Sequence, residues 1–361
     1  MSSKKHVILA GGLVGLLAVL LVHFGNPANM GFCIACFIRD IAGGLGLHRA
    51  GVVQYIRPEI IGMGLGAWLM AMGSGDFRVR GGSSPFTRFI LGFFVMIGAL
   101  VFLGCPLRMV LRLAGGDLTA ILGLVGFTAG ILLGIVFLNK GFTLKRTYSL
   151  NKAEGFLFPA MKIAFFILLV VAPSFIFFSE SGPGSMRAPV ALALIAGLLV
   201  GFAGQRTRMC TVGGIRDLIM FKDAHLISGF AAIFVIALLG NIITGNFNLG
   251  FEGQPVAHND GLWNFLGMAL AGLGSVLLGG CPLRQVILSA EGNIDSVITF
   301  LGLLVGAAFA HNFGLASSAA GATANGKTAV IIGLIVVAAI GFLNMDRSAD
   351  VTMKGDVKVG A

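Results

Sequence analysis

Ten long apolar runs constrain this chain more than any other feature. They lie at 7–24, 52–72, 87–103, 118–138, 157–178, 187–203, 225–243, 262–279, 294–313 and 327–344. A helix needs about 20 residues to cross a bilayer, so each run can span one. Composition points the same way: 57% of residues are hydrophobic and only 11% charged, with a mean hydropathy of +0.95. Water-soluble domains carry about 25% charged residues, which excludes an ordinary soluble globule. The 55 glycines show no triplet period, excluding collagen, and the 10 prolines amid abundant Leu, Ile, Val and Phe exclude disorder. Glycine is itself frequent in transmembrane helices. The expected fold class is all-α, a polytopic transmembrane helix bundle of about ten spans.

Charge orients it. With loops assigned alternately to two sides, 18 of the 25 lysines and arginines fall on the side of the N-terminus and seven on the other. The positive-inside rule makes the N-terminal side cytoplasmic, with both termini there, in the inner membrane of a bacterium. The net charge of +10 is explained by these topogenic residues. No nucleic-acid partner is required, and membrane lipid is the surrounding medium. Lys4-Lys5-His6 followed by an apolar run resembles a secretory signal. Recurrence of the same segment later in the chain favours an uncleaved first span.

The chain repeats. Gly104-Cys105-Pro106-Leu107-Arg108 returns as Gly280-Cys281-Pro282-Leu283-Arg284, 176 residues on. Ile38-Arg39-Asp40 returns as Ile215-Arg216-Asp217 at an offset of 177, which also places Cys33 on Cys210. A duplication of five spans divides the chain into repeat 1 at 1–178, repeat 2 at 179–345 and a cytoplasmic tail at 346–361. Five is odd, so the second copy enters the membrane inverted, a common transporter plan with the substrate site between the copies. A duplicated scaffold without transport is the structural alternative.

Cys-Pro-Leu-Arg is the strongest chemical signal. Proline suits the first position of a helix, so Cys105 and Cys281 are expected to cap short helices after glycine-rich breaks. Such breaks are tolerated at membrane depth only where they face protein or a wet cavity. Helix N-termini attract anions, and Arg108 and Arg284 lie one turn further on. The inversion would bring the two caps face to face as an anion site carrying two thiols. The blander reading makes the cysteines small buried apolar residues. Cys33, Cys36 and Cys210 sit in short glycine-flanked segments expected to be re-entrant, Cys33 approaching from outside and Cys210 from inside. Cys33 and Cys36 form a C-x-x-C that redox chemistry, a metal or a disulphide could use. Its repeat has Gly213 in place of Cys36, the six histidines are scattered, and no metal or other cofactor is called for. Arg39-Asp40 and Arg216-Asp217 are expected to be structural, since charges near the bilayer pair. Gly321 to Thr328 spells a P-loop, but with no strand before it and a predicted outer location it is expected to be coincidental.

With those residues in view, the chain resembles the YeeE/YedE sulphur-transport family over roughly 10–345, and within it the branch associated with selenium metabolism. The resemblance implies a permease, not an enzyme, that takes up thiosulphate-like or selenium-containing anions along a path of cysteines. It also implies a cytoplasmic sulphur- or selenium-carrier partner of the TusA type. The family's key thiols, one near the entrance and two central, map onto Cys33, Cys105 and Cys281, with Cys36 and Cys210 extra to that set. Relay by neutral thiols is the expected mechanism; a membrane thiol–disulphide oxidoreductase using Cys33 and Cys36 is the alternative.

Overall fold

The computed structural model describes residues 3–345. The tail at 346–361, with Arg347, Lys354, Lys358 and the C-terminus assigned above to the cytoplasm, lies outside the described residues. The first half contains α1 (Lys4–His23), α2 (Ile34–Gly44), α3 (Pro58–Ser74), α4 (Pro85–Phe102), α5 (Pro106–Ala114), α6 (Thr119–Asn139), α7 (Lys152–Gly155) and α8 (Leu157–Val171). The second contains α9 (Val190–Thr207), α10 (Thr211–Phe221), α11 (His225–Ile243), α12 (Gly261–Leu277), α13 (Pro282–Ala290), α14 (Ile294–Asn312) and α15 (Ala324–Leu343). A two-residue ribbon, β1 (Arg80–Gly81) against β2 (Tyr148–Ser149), ties two loops on the side where α1 begins.

Nine segments among the described residues are long and apolar enough to cross a membrane, and α3, with 17 residues, answers to the remaining run. Two runs are longer than their helices. The run at 52–72 begins in a loop because Pro58, at the first turn, sets where α3 can start. The run at 157–178 stays apolar past Val171, but Ala172 turns left-handed (φ 45°) ahead of Pro173 and ends α8.

Glycine contacts give the direction of each helix relative to its neighbours. Gly11 and Gly15 of α1 lie against Gly229 and Ile233 of α11, so these helices run parallel. Gly62 and Gly66 of α3 meet Leu194 and Leu198 of α9 in the same sense. So do Gly302 and Gly306 of α14 with Phe89 and Phe93 of α4, and Gly126 and Gly130 of α6 with Phe265 and Ala269 of α12. The helices α4 and α12 each precede a Cys-Pro motif, and they run antiparallel: Gly98 meets Gly267, and Gly274 meets Val95. Corresponding helices of the two halves therefore point in opposite directions, as an inverted repeat requires. At several of these positions a methyl group would collide with a backbone carbonyl across the seam, the close approach that small residues give membrane helices.

The most extensive packings all join one half to the other: α3 with α9, α6 with α12, α4 with α14, α1 with α11 and α4 with α12. One element departs from the two-fold plan. Whereas α15 packs against α4 and α12, its counterpart α8 lies against α3 and α13.

Candidate functional site

Four cysteines cap the short helices α2, α5, α10 and α13. Cys33 precedes α2, Cys105 α5, Cys210 α10 and Cys281 α13, each in an extended backbone conformation, with Pro106 and Pro282 at the first helical position. A left-handed residue precedes each within four positions: Asn29 (φ 58°), Leu103 (φ 62°), Arg208 (φ 55°) and Gly279 (φ 78°). Non-glycine residues there store backbone strain, which concentrates at functional sites.

The thiols gather in two clusters. In the first, Cys33 Sγ accepts a hydrogen bond from the Cys36 N–H and Cys105 Sγ accepts one from the Ile34 N–H, both at 3.3 Å. In the second, Cys210 Sγ accepts from the N–H of Gly213 at 3.3 Å and of Cys281 at 3.5 Å. The Thr211 hydroxyl donates to Cys281 Sγ at 3.7 Å. Each Cys-Pro thiol thus meets the re-entrant cysteine of its own half, at a point where two helix N-termini converge. No hydrogen bond joins Cys105 to Cys281 among the described residues; a contact between α2 and α13 links the clusters instead. All five cysteines are free and buried. Cys210 is the most accessible at 6%, the others being at 0–1%.

The arginines of the motif are engaged elsewhere. Arg108 is fully buried with no carboxylate partner among the described residues. Its Nε donates to Asn29 O at 3.1 Å, its Nη1 to Leu103 O, and its Nη2 to Pro255 O and Val256 O at 3.2 Å. Nη1 also lies 4.0 Å from Cys36 Sγ. Arg108 therefore straps the α11–α12 loop over the first thiol cluster, with Val256 held left-handed at φ 50°. Its counterpart Arg284 pairs with Glu291 at 3.0 Å. In this conformation the Arg108 guanidinium is taken up by backbone carbonyls and the Arg284 charge is matched by Glu291.

The Arg-Asp pairs fix the re-entrant helices. Asp40 holds Arg39 and Arg57 at 2.7 Å each, and Arg57 reaches on to the carbonyls of Pro183 and Met186. Arg216 and Asp217 pair at 2.8 Å, near the surface. The P-loop lookalike is the cap of α15: the Thr323 side chain accepts from the Gly326 N–H, and Lys327 pairs with Asp260 at 3.2 Å.

A cavity of about 370 Å³ adjoins the second cluster, lined in part by Asp76, Gln205, Arg206, Arg208, Asp223 and His225. It opens on the side where α1 begins. Hydrogen bonds from Ser74 and Gln205, aided by Arg208 and Arg78, hold the Asp76 carboxyl below its ordinary range, so the rim carries both signs of charge at neutral pH. Over the first cluster lies the Pro255–Val256 segment, tied down by Arg108.

Buried thiols, convergent N–H groups and a charged vestibule suit weak, serial contacts with a small soft anion. Sequence reasoning did not single out Thr211, the Pro255–Val256 strap or the vestibule. Thr211, directly after Cys210, was the one with a local signal, a hydroxyl in a first helical turn.

Residues 206–348 match the family described as Sulphur transport. The thiosulfate transporter TsuA of Escherichia coli is 31% identical over 124 residues, covering 33% of this chain and 34% of that protein. TsuA of Spirochaeta thermophila is 33% identical over 99 residues, covering 27% and 29% respectively. The matched stretch spans about a third of the length of these curated relatives.

Proposed function

We propose, from the sulphur-transport pattern in residues 206–348, that this chain is a permease for a small sulphur-containing anion of the thiosulphate kind, or its selenium analogue. The observation that carries the reading is the pairing of a Cys-Pro thiol with a re-entrant thiol at two convergent helix N-termini, once in each half. The anion would meet Cys33 and Cys36 first, pass Cys105, cross the α2–α13 contact to Cys281, and leave by Cys210 into the charged vestibule. Protonated thiols serve this path, being weak donors and polarisable partners, whereas a thiolate would repel the anion. Helix N-termini supply partial positive charge without a fixed cation that would trap the substrate. Arg108 and Arg284 act through the frame: Arg108 holds the strap over the entrance through its Nη2, and that Nη2 becomes an anion donor once the strap lifts.

The vestibule faces the cytoplasm in this reading, as the arginine and lysine distribution requires, and a small carrier protein of the TusA type would collect the product there. Inward movement of a dianion opposes a 100 mV potential by about 4.6 kcal/mol, twice the cost per charge, so uptake needs a driving ion or a trap.

The test is uptake of labelled thiosulphate by cells lacking other routes. Cys105→Ala and Cys281→Ala are each expected to abolish uptake while leaving the protein in the membrane at normal abundance. Normal uptake by both variants would refute the thiol path.

A further inference from the structure

Lys162, on α8, is fully buried and its Nζ has no hydrogen-bond partner or paired carboxylate among the described residues. Three aromatic faces surround it: Nζ lies 4.0 Å from the ring centroid of Phe300 on α14, 4.4 Å from Phe158 and 5.5 Å from Phe165. Gly64 of α3 makes the room, for a Cβ there would sit 3.0 Å from Lys162 Cγ and 3.1 Å from Cε. The ionisable groups on the elements packed around it do not pair with it among the described residues, although Glu59 Oε2 and His311 Nε2 are also buried without a hydrogen-bond partner. Glu59 on α3 accepts from Asn26 at 2.8 Å. Asp295 on α14 accepts from the N–H of Gly82 and Ser83 and lies 3.7 Å from Arg88. Beside α13, Arg284 pairs with Glu291, and His311, at the far end of α14, stacks on His48.

An ionisable side chain inside a span is expensive, and such residues mark ion and proton paths. Aromatic faces attract an ammonium without neutralising it, and they also accommodate an uncharged amine. This cage can therefore hold both protonation states, which a carboxylate partner would not allow. The repeat does not require it: the 176-residue offset places Ala338 at the corresponding position, and α8 is the helix that departs from the two-fold plan. Through Phe300 the cage grips α14, which packs on α13 and α2, the helices capped by Cys281 and Cys33.

We propose that Lys162 is an intramembrane proton-binding site and that one proton carried on its amine accompanies each anion moved inward. The amine takes a proton from the outer side as the anion enters, releases it on the inner side and returns as free amine, so the carrier is restored each cycle; with a dianion the net charge moved inward is −1, half the electrical cost of the bare anion. The proposal rests on the permease reading and supplies it with a coupling ion, one proton halving the electrical cost of a dianion and cancelling that of a monoanion.

The purified full-length chain in liposomes with an entrapped pH dye tests it. Wild-type protein is expected to exchange labelled thiosulphate without a gradient. It should also accumulate thiosulphate when the outside is acid, and acidify the lumen only when thiosulphate is added. Lys162→Met and Lys162→Arg should both lose acid-driven accumulation and lumen acidification, since neither side chain cycles a proton. Lys162→His should restore both with the pH profile displaced to lower pH, imidazole being the weaker base. Rescue by Arg, or retention by Met, would make the role structural and overturn the proposal. Wild-type exchange that neither responds to acid nor acidifies the lumen would overturn it with no variant needed. Absence of exchange by wild-type protein would instead sink the permease reading, and the proton site with it.

Discussion

Arg39-Asp40 and Arg216-Asp217 are the same dipeptide in two copies, yet their surroundings set different energetics. Asp40 is sealed, with Arg39 and Arg57 both on its oxygens and side-chain exposures of 0–3%. The Arg216 and Asp217 side chains retain 30% and 20% exposure. Removing one partner of a buried pair leaves an uncompensated charge and costs about 3–5 kcal/mol, while an exposed pair contributes about 1 kcal/mol or less. Asp40→Asn should therefore lower the thermal unfolding temperature in detergent sharply and Asp217→Asn barely. Equal shifts would contradict the packing described. At this scale the sequence was only partly legible. The dipeptides could be read as structural because charge in a membrane must pair. Arg57, 17 residues from Asp40 in the chain, could not be assigned as the third member. Arg108 shows the same limit: its motif suggested a free cation, but the carbonyls of Asn29 and Leu103, and those of Pro255 and Val256 brought from the other half, occupy its donors.

Broken helices depend on what the chain does just before each break. Leu103 and Arg208 adopt left-handed backbone at the ends of α4 and α9, a conformation that costs an L-residue about 1–2 kcal/mol. Arg208 is exposed, so its side chain is not needed for packing. Arg208→Gly should raise stability by up to about 1 kcal/mol, the relief being partly offset by the unfolded-state entropy of glycine. The measurement is thermal unfolding of the purified variant in detergent. A loss of stability would mean the guanidinium matters more to the vestibule than the strain does to the chain. The elements themselves were largely readable. Every apolar run holds a long helix, and Cys-Pro located the starts of α5 and α13, because proline at a first turn and a preceding glycine are local signals. Helix ends beyond Val171 and before Pro58 were misjudged, because hydropathy carries no information on where proline forbids continuation. The side of α8 was also unreadable, being fixed by Gly64, Phe300 and other partners distant in sequence.

Across the whole molecule, the two thiol clusters are unequally shielded: the strap lies over the first, while the vestibule wall runs through Thr207 and Arg208 to within two residues of Cys210, the most accessible thiol. A membrane-impermeant thiol reagent should label Cys210 before any other cysteine, and from the side on which α1 begins. Right-side-out and inverted vesicles, each with a single cysteine retained, would show this. Preferential labelling of Cys33 would mean that the entrance stands open at rest. The inversion was foreseeable from two motif offsets and an odd number of spans. The interlocking was not, because nothing local says that α1 chooses α11 or that α3 chooses α9. Because of that interlocking, a lone half would bare its side of five glycine-lined seams, the sides that a second copy inserted upside down covers. An isolated half could then bury those seams as a homodimer whose two copies enter the membrane in opposite orientations.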